Sequence, residues 1–225
     1  MDAMRQVADG VFEIDIAFVH AHLVVVDDGV VLVDTGLPRR SARVERALRE
    51  ARRAVGDVRA VLLTHWHADH TGGAAELRRR SGARTVAHAL DAPVVSGVVA
   101  APLTRLQRVT KRITGTPAPV AVDEVLDGDG PFSVAGFTAV HTPGHTAGHV
   151  SFLLDRDGGV LFAGDAAAGG ATRVRRTPRL MTADTVAANA SVARLARLTF
   201  EVAVFGHGAA VTASAADRFR DLAAA

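Results

Sequence analysis

Residues 58–80 read VRAVLLTHWHADHTGGAAELRRR, and how this stretch is read decides the fold. Val58 to Leu63 is an apolar run of strand length that enters a polar loop, His65-Trp66-His67-Ala68-Asp69-His70. Residues 71–80, with the glycine pair Gly72-Gly73 near their start, then return to a helical pattern. Strand, polar loop and helix is the order that sets a binding loop at the carboxyl end of a strand. With 10 His in 225 residues, chance predicts this four-residue pattern roughly 0.0015 times per chain, so the block calls for a chemical reason. Histidines at alternate positions can aim two imidazoles at one cation. The Asp-His pair that follows can turn toward a second cation nearby.

Working outward, residues 11–16, 19–26 and 30–34 read as short β-runs broken by Asp27-Asp28-Gly29, a hairpin signal. Residues 39–55 place Val44, Ala47, Leu48 and Ala51 at helical spacing. Strands are expected at 83–87, 120–125, 132–135 and 137–140, with a hairpin over 150–154 and 160–163. A helix over 183–198, a strand over 202–205 and a last helix over 214–222 complete the pattern. Residues 91–119 read as a mostly helical insertion. No linker separates the halves, so residues 1–225 are expected to form a single α/β (α+β) domain.

Composition narrows the chemistry. Lys and Arg number 26 against 24 Asp and Glu, a formal charge of +2 that gives no global field for nucleic acid or membrane. Zero Cys excludes disulfides, thiol nucleophiles and thiolate zinc sites, so a metal must be held by His and carboxylates. The opening residues 1–10 lack an apolar signal core, and no apolar run approaches membrane-spanning length. A soluble, cytoplasmic chain is expected.

Further polar groups follow apolar strands: Asp34-Thr35-Gly36, Thr142-Pro143-Gly144-His145-Thr146, Gly164-Asp165 and Gly206-His207-Gly208. In this order, together with the HxHxDH block, they resemble the metallo-β-lactamase superfamily of metal-dependent hydrolases over essentially the whole chain. The resemblance implies a four-layer αββα sandwich of two packed mixed sheets flanked by helices, with the site at one edge. It implies that His65, His67 and His145 hold one metal, that Asp69, His70 and His207 hold a second, and that Asp165 bridges them. The cofactor would be two divalent ions, zinc first, with iron or manganese as alternatives. Asp34 would support the ligand loop, and His149, like His141, would be structural or stand behind the ligands. The implied chemistry is a bridging hydroxide attacking a carbonyl, with Asp69 shuttling the proton.

An Asp at the bridge and the TPGHT turn are closest to the glyoxalase II and lactonase-like branches, which open thioesters and lactones. Zero Tyr removes the phenol such lactonases use. Only 18 residues follow His207, too few for the helical glutathione-binding domain of glyoxalase II. A β-lactamase fits less well, and a mononuclear iron persulfide dioxygenase is the alternative from another class, ahead of a non-catalytic binding protein. The substrate is expected to be a small molecule, with an anionic tail as one option. Leu103, Leu106, Val109 and Ile113 recur at helical spacing opposite Arg105, Arg108, Lys111 and Arg112. That basic face reads as a solvated or interface surface, or as a lid in which Arg105 and Arg108 contact the substrate. His20 and His22 point the same way along a strand, so His22 is a further candidate for lining the cleft. Oligomeric state is open.

Overall fold

The computed structural model describes residues 4–103, 108, 115–170 and 173–225. Seven strands form a first sheet in sequence order: β1 (Met4–Ala8), β2 (Val11–Ile16), β3 (Val19–Val26), β4 (Gly29–Val33), β5 (Val58–Leu62), β6 (Arg84–His88) and β7 (Glu124–Leu126). The first four make an antiparallel meander, and β4 to β7 continue it in parallel. The second sheet runs β12-β11-β10-β9-β8, from β8 (Gly130–Pro131), β9 (Phe137–His141), β10 (Val150–Leu154), β11 (Val160–Phe162) and β12 (Val202–Val204). Only its β11–β12 pair is parallel.

Alternation along the strands builds the layers. In β4, Val30 and Leu32 join a core on one face while Val31 and Val33 join a different core on the other. A strand buried on both faces reads as an unbroken apolar run, which is what β4 shows, while β5 departs from it at the exposed Arg59. The first face is covered by α1 (Ser41–Glu50), α3 (Ala74–Ser81) and α4 (Ala92–Val95), which contribute Val44, Leu48, Leu77 and Val95. The opposite face meets the second sheet through Leu62, Val86, Phe137, Phe152 and Phe162. The outer face of the second sheet is covered by α5 (Thr185–Leu195) and α6 (Ala215–Ala224), with Val192, Leu195 and Phe219 buried beneath them. Helix, sheet, sheet, helix is the four-layer αββα arrangement. Helix α5 starts where Asp184 Oδ1 accepts from the N–H groups of Val186 (2.9 Å) and Ala187 (3.0 Å), filling two otherwise unpaired donors.

Several boundaries differ from the sequence reading. Strand β1 pairs with β2 ahead of the anticipated first run. The helix expected over 71–80 divides at Gly72-Gly73 into α2 (Ala68–Thr71) and α3. Residues 120–125 shrink to β7, because the Val120 N–H bonds the Val95 carbonyl (3.1 Å) at the end of α4 and pairing with β6 starts at Glu124. Residues 132–135 form no strand. Pairing with β9 stops at Pro131, and Phe132 instead packs on Phe152 with ring centroids 5.8 Å apart. In the expected helical insertion, α4 and Arg108 are helical among the described residues, while 96–103 and 115–119 are turn or irregular. No helix among the described residues is long and apolar enough to cross a membrane.

Candidate metal centre

The loops that follow β4, β5, β9, β11 and β12 meet at one edge of the sandwich and bring together every residue of the anticipated metal set. Main-chain hydrogen bonds clamp the edge. Val150 N–H donates to Thr64 O (2.8 Å) across the two sheets, and Gly206 N–H donates to Gly164 O (3.0 Å) between the loops that carry Asp165 and His207.

His65, His67 and His145 form one cluster. His65 Nε2 lies 2.9 Å and His145 Nε2 2.8 Å from His67 Nδ1. Asp69, His70 and His207 form a second, with His70 Nε2 3.9 Å and His207 Nε2 3.5 Å from Asp69 Oδ2. Asp165 stands between them: its Oδ2 is 3.4 Å from His145 Nε2 and 3.5 Å from His207 Nε2, and its Oδ1 is 3.5 Å from His70 Nε2. Ligand atoms around a tetrahedral zinc lie about 3.3 Å apart for bonds of about 2.05 Å, and these separations lie within about 0.6 Å of that spacing. His70 Nε2 and Asp165 Oδ1 are buried without a hydrogen-bond partner, which is the state of donors waiting for a cation.

Charge separates the two clusters. Burial, reinforced by mutual repulsion, holds the His65 and His145 imidazoles far below their usual pKa and His67 at about 4, so all three are neutral, the form that binds metal. Burial opposes protonation of His70 too, but Asp165, Asp34 and Asp69 outweigh it and push this group up to about 10. The carboxylates of this half thus favour positive charge beside them.

Three of the cluster imidazoles, His65, His70 and His207, are aimed by a second group. Asp34 Oδ2 accepts from His70 Nδ1 (2.8 Å) and Thr64 Oγ1 (2.7 Å), and its Oδ1 accepts from Thr64 N–H (2.9 Å). With its proton given to Asp34, Thr64 Oγ1 accepts from His65 Nδ1 at 3.0 Å, leaving His65 Nε2 bare toward the cluster. His207 Nδ1 donates to the Phe18 carbonyl (2.8 Å) in the β2–β3 turn. His149, fully buried, accepts the Asp165 N–H at Nε2 (2.9 Å) and donates from Nδ1 to Thr142 Oγ1 (2.8 Å). Gly206 is the close approach that lets the parts meet, since a Cβ there would fall 2.3 Å from Asp165 Oδ1 and 2.5 Å from His70 Cε1.

One buried group escapes the sequence reading. Asp91 accepts from Trp66 N–H (3.1 Å) and Thr146 Oγ1 (2.7 Å) at Oδ2 and from Gly148 N–H (2.9 Å) at Oδ1. It therefore ties the loop of His65 and His67 to the loop of His145. Asp91-Ala92-Pro93 looks like an ordinary helix start, yet the Asp91 side chain makes no cap bond. Burial pushes its carboxyl up, against the pull of those three donors.

The remaining candidates lie apart from the clusters. His22 is buried between the sheets, edge-on to Phe162 at 5.6 Å and 3.9 Å from Glu13 Oε2. Arg108 is exposed, with Nε donating to Leu103 O (3.3 Å). Arg105 lies outside the described residues. His141 stacks on His88 with centroids 4.0 Å apart.

Residues 14–207 match the family model of the metallo-β-lactamase superfamily. The chain belongs to the metallo-β-lactamase superfamily. Among superfamily relatives, a probable metallo-hydrolase of Bacillus subtilis, YflN, is 29% identical over 206 residues, 81% of this chain and 76% of the relative. The hydroxyacylglutathione hydrolase of Halorhodospira halophila is 37% identical over 119 residues, 51% of this chain but 35% of the relative, so this match spans about a third of that protein. Among solved superfamily structures, the subclass B3 metallo-β-lactamase BJP-1 of Bradyrhizobium japonicum superposes with TM-score 0.71 at 23% identity, over 91% of this chain and 77% of that one. That likeness concerns the fold. The chain is a metallo-hydrolase of the superfamily, and the His and Asp clusters are where it could hold metal.

Proposed function

We propose that this chain is a dinuclear metal hydrolase that opens a small thioester, ester or lactone. His65, His67 and His145 would hold the first ion, Asp69, His70 and His207 the second, and Asp165 would bridge. The observation that carries the reading is the Asp165 carboxylate, with one oxygen 3.4 Å from an imidazole of the first cluster and 3.5 Å from one of the second. Two zinc ions held there would acidify a shared water toward neutral pH and polarise the substrate carbonyl.

The chain's own groups do the rest. The three neutral imidazoles of the first cluster offer lone pairs without a proton to displace. Asp34 and the Phe18 carbonyl fix the faces that His70 and His207 present. Asp69 is held ionised: burial works against it, but His70, His207 and His67 keep its carboxyl well below the usual range, and it is a fifth exposed at the mouth. It is the group placed to take a proton there and pass it to a leaving group. Relatives named hydroxyacylglutathione hydrolase and atrochrysone carboxyl ACP thioesterase support the substrate class.

Elemental analysis of the protein purified without added metal is the test, paired with a thioester, ester and lactone screen. About two divalent ions per chain are expected. His67→Ala should lower the bound metal and reduce turnover at least 100-fold with far-UV circular dichroism retained. A single iron per chain with oxygen uptake on persulfides, or unchanged turnover in His67→Ala, overturns the proposal.

A further inference from the structure

A cavity of about 250 Å³ opens beside Asp165, with that residue and Ala166 on its inner wall. Arg176, Arg179, Thr182 and Asn189 line the rest, over a floor that includes Val192. Arg176 Nε donates to Asn189 Oδ1 at 2.8 Å, which holds the guanidinium by one edge. Among the described residues neither Arg176 nor Arg179 has a carboxylate within ion-pair reach. Elsewhere on the surface Arg78, Arg84 and Arg194 each meet an acid, Asp123, Glu124 and Asp129 respectively. The one acid in the cavity wall, Asp165, already faces His70, His145 and His207. Ala166, Ala188 and Val192 are the apolar groups among the lining residues.

We infer that this cavity is an anion subsite that receives the far end of the substrate: a carboxylate or phosphate carried on a short apolar stem, whose reactive carbonyl reaches the metal centre. The inference rests on the hydrolase reading for its substrate and on the cavity itself for its anion. Planar guanidiniums suit either oxyanion, because both present paired oxygens to a fork of N–H donors. The apolar lining of Ala166, Ala188 and Val192 complements methylene groups, which a free inorganic ion lacks. The subsite sits on the loop after Asp165 and on α5, away from the Arg105 and Arg108 segment.

The test compares adipoyl and hexanoyl thioesters of N-acetylcysteamine, equal in chain length and differing in a terminal carboxylate. A charge-assisted hydrogen bond contributes about 1.5–3 kcal/mol, so the parent should favour adipoyl by about 10- to 100-fold in kcat/KM. The double variant Arg176→Met, Arg179→Met should reduce the adipoyl-to-hexanoyl ratio at least tenfold. Calorimetric titration of adipate and of inorganic phosphate into parent and double variant reads the subsite without turnover. Adipate binding that the variant loses assigns the anion as a carboxylate, and phosphate binding that it loses assigns a phosphate. Equal ratios and equal binding in parent and variant overturn the subsite. An absence of hydrolysis alongside arginine-dependent anion binding overturns the substrate class and leaves the subsite standing.

Discussion

Replacing Asp91 should be costly, and the reason can be worked from its three donors. Asp91→Ala removes the acceptor for Trp66 N–H, Thr146 Oγ1 and Gly148 N–H, in surroundings where Asp91 is 2% exposed. An unpaired buried donor costs about 1–3 kcal/mol. Relief of the buried carboxylate, whose pKa burial already raises, returns part of that. The net expectation is a loss of about 3 kcal/mol, or about 6–12 °C in Tm for a chain of this size. Asp91→Asn keeps one carbonyl oxygen but turns an NH2 group against a donor, so about half that loss is expected. Urea unfolding of metal-depleted protein is the assay, since bound metal would add its own linkage. Trp66, the single tryptophan, reports from the loop that Asp91 holds. Zinc affinity should fall in parallel, by about 10- to 100-fold, as is typical when the support behind a ligand is lost. An Ala variant within about 0.5 kcal/mol of the parent, with unchanged zinc affinity, would refute the tethering role.

Two further outcomes follow from other parts of the edge. Burial opposes ionisation of Glu13, but His22, His20 and Arg5 outweigh it and hold its carboxyl at about 2. A depressed acid stabilises the fold above its unfolded pKa of 4.5 and loses that contribution as pH falls toward 2. Stability should therefore drop by about 3 kcal/mol across that window, as read by denaturant unfolding. Glu13→Gln should flatten the drop, and parallel curves for parent and variant would count against the assignment. Gly206→Ala places a methyl 2.3 Å from Asp165 Oδ1. Zinc titration should show the ion of the Asp69, His70 and His207 cluster weakened at least tenfold, and an unchanged titration would show that the loop shifts freely.

The fold was legible where two signals agreed. In β4 and β5 the largely apolar runs and the polar loops after them pointed to strands that end in a site. Legibility failed at edges. Pairing of β7 and β8 is set by neighbours such as Val95 and Phe152 that lie far away in sequence, and no local pattern announces them. At the candidate centre, ligand chemistry in a chain without Cys restricts the residue types that could hold a cation to His and carboxylates, which narrows the candidate ligands in the sequence. The groups that aim those ligands are less restricted. Asp34 and His149 fell inside or beside motifs, whereas Asp91 lies in no motif, and its role depends on three segments meeting in space.

Orientation of the two imidazoles in the second cluster comes from different kinds of partner. His70 relies on the Asp34 side chain, while His207 relies on the main-chain carbonyl of residue 18. A saturation library would register the first dependence and overlook the second. Position 34 should tolerate almost nothing, yet position 18 should accept many side chains, because every amino acid supplies the same carbonyl. Mutational intolerance therefore undercounts what holds this edge together, and the β2–β3 turn is best perturbed by changing its length.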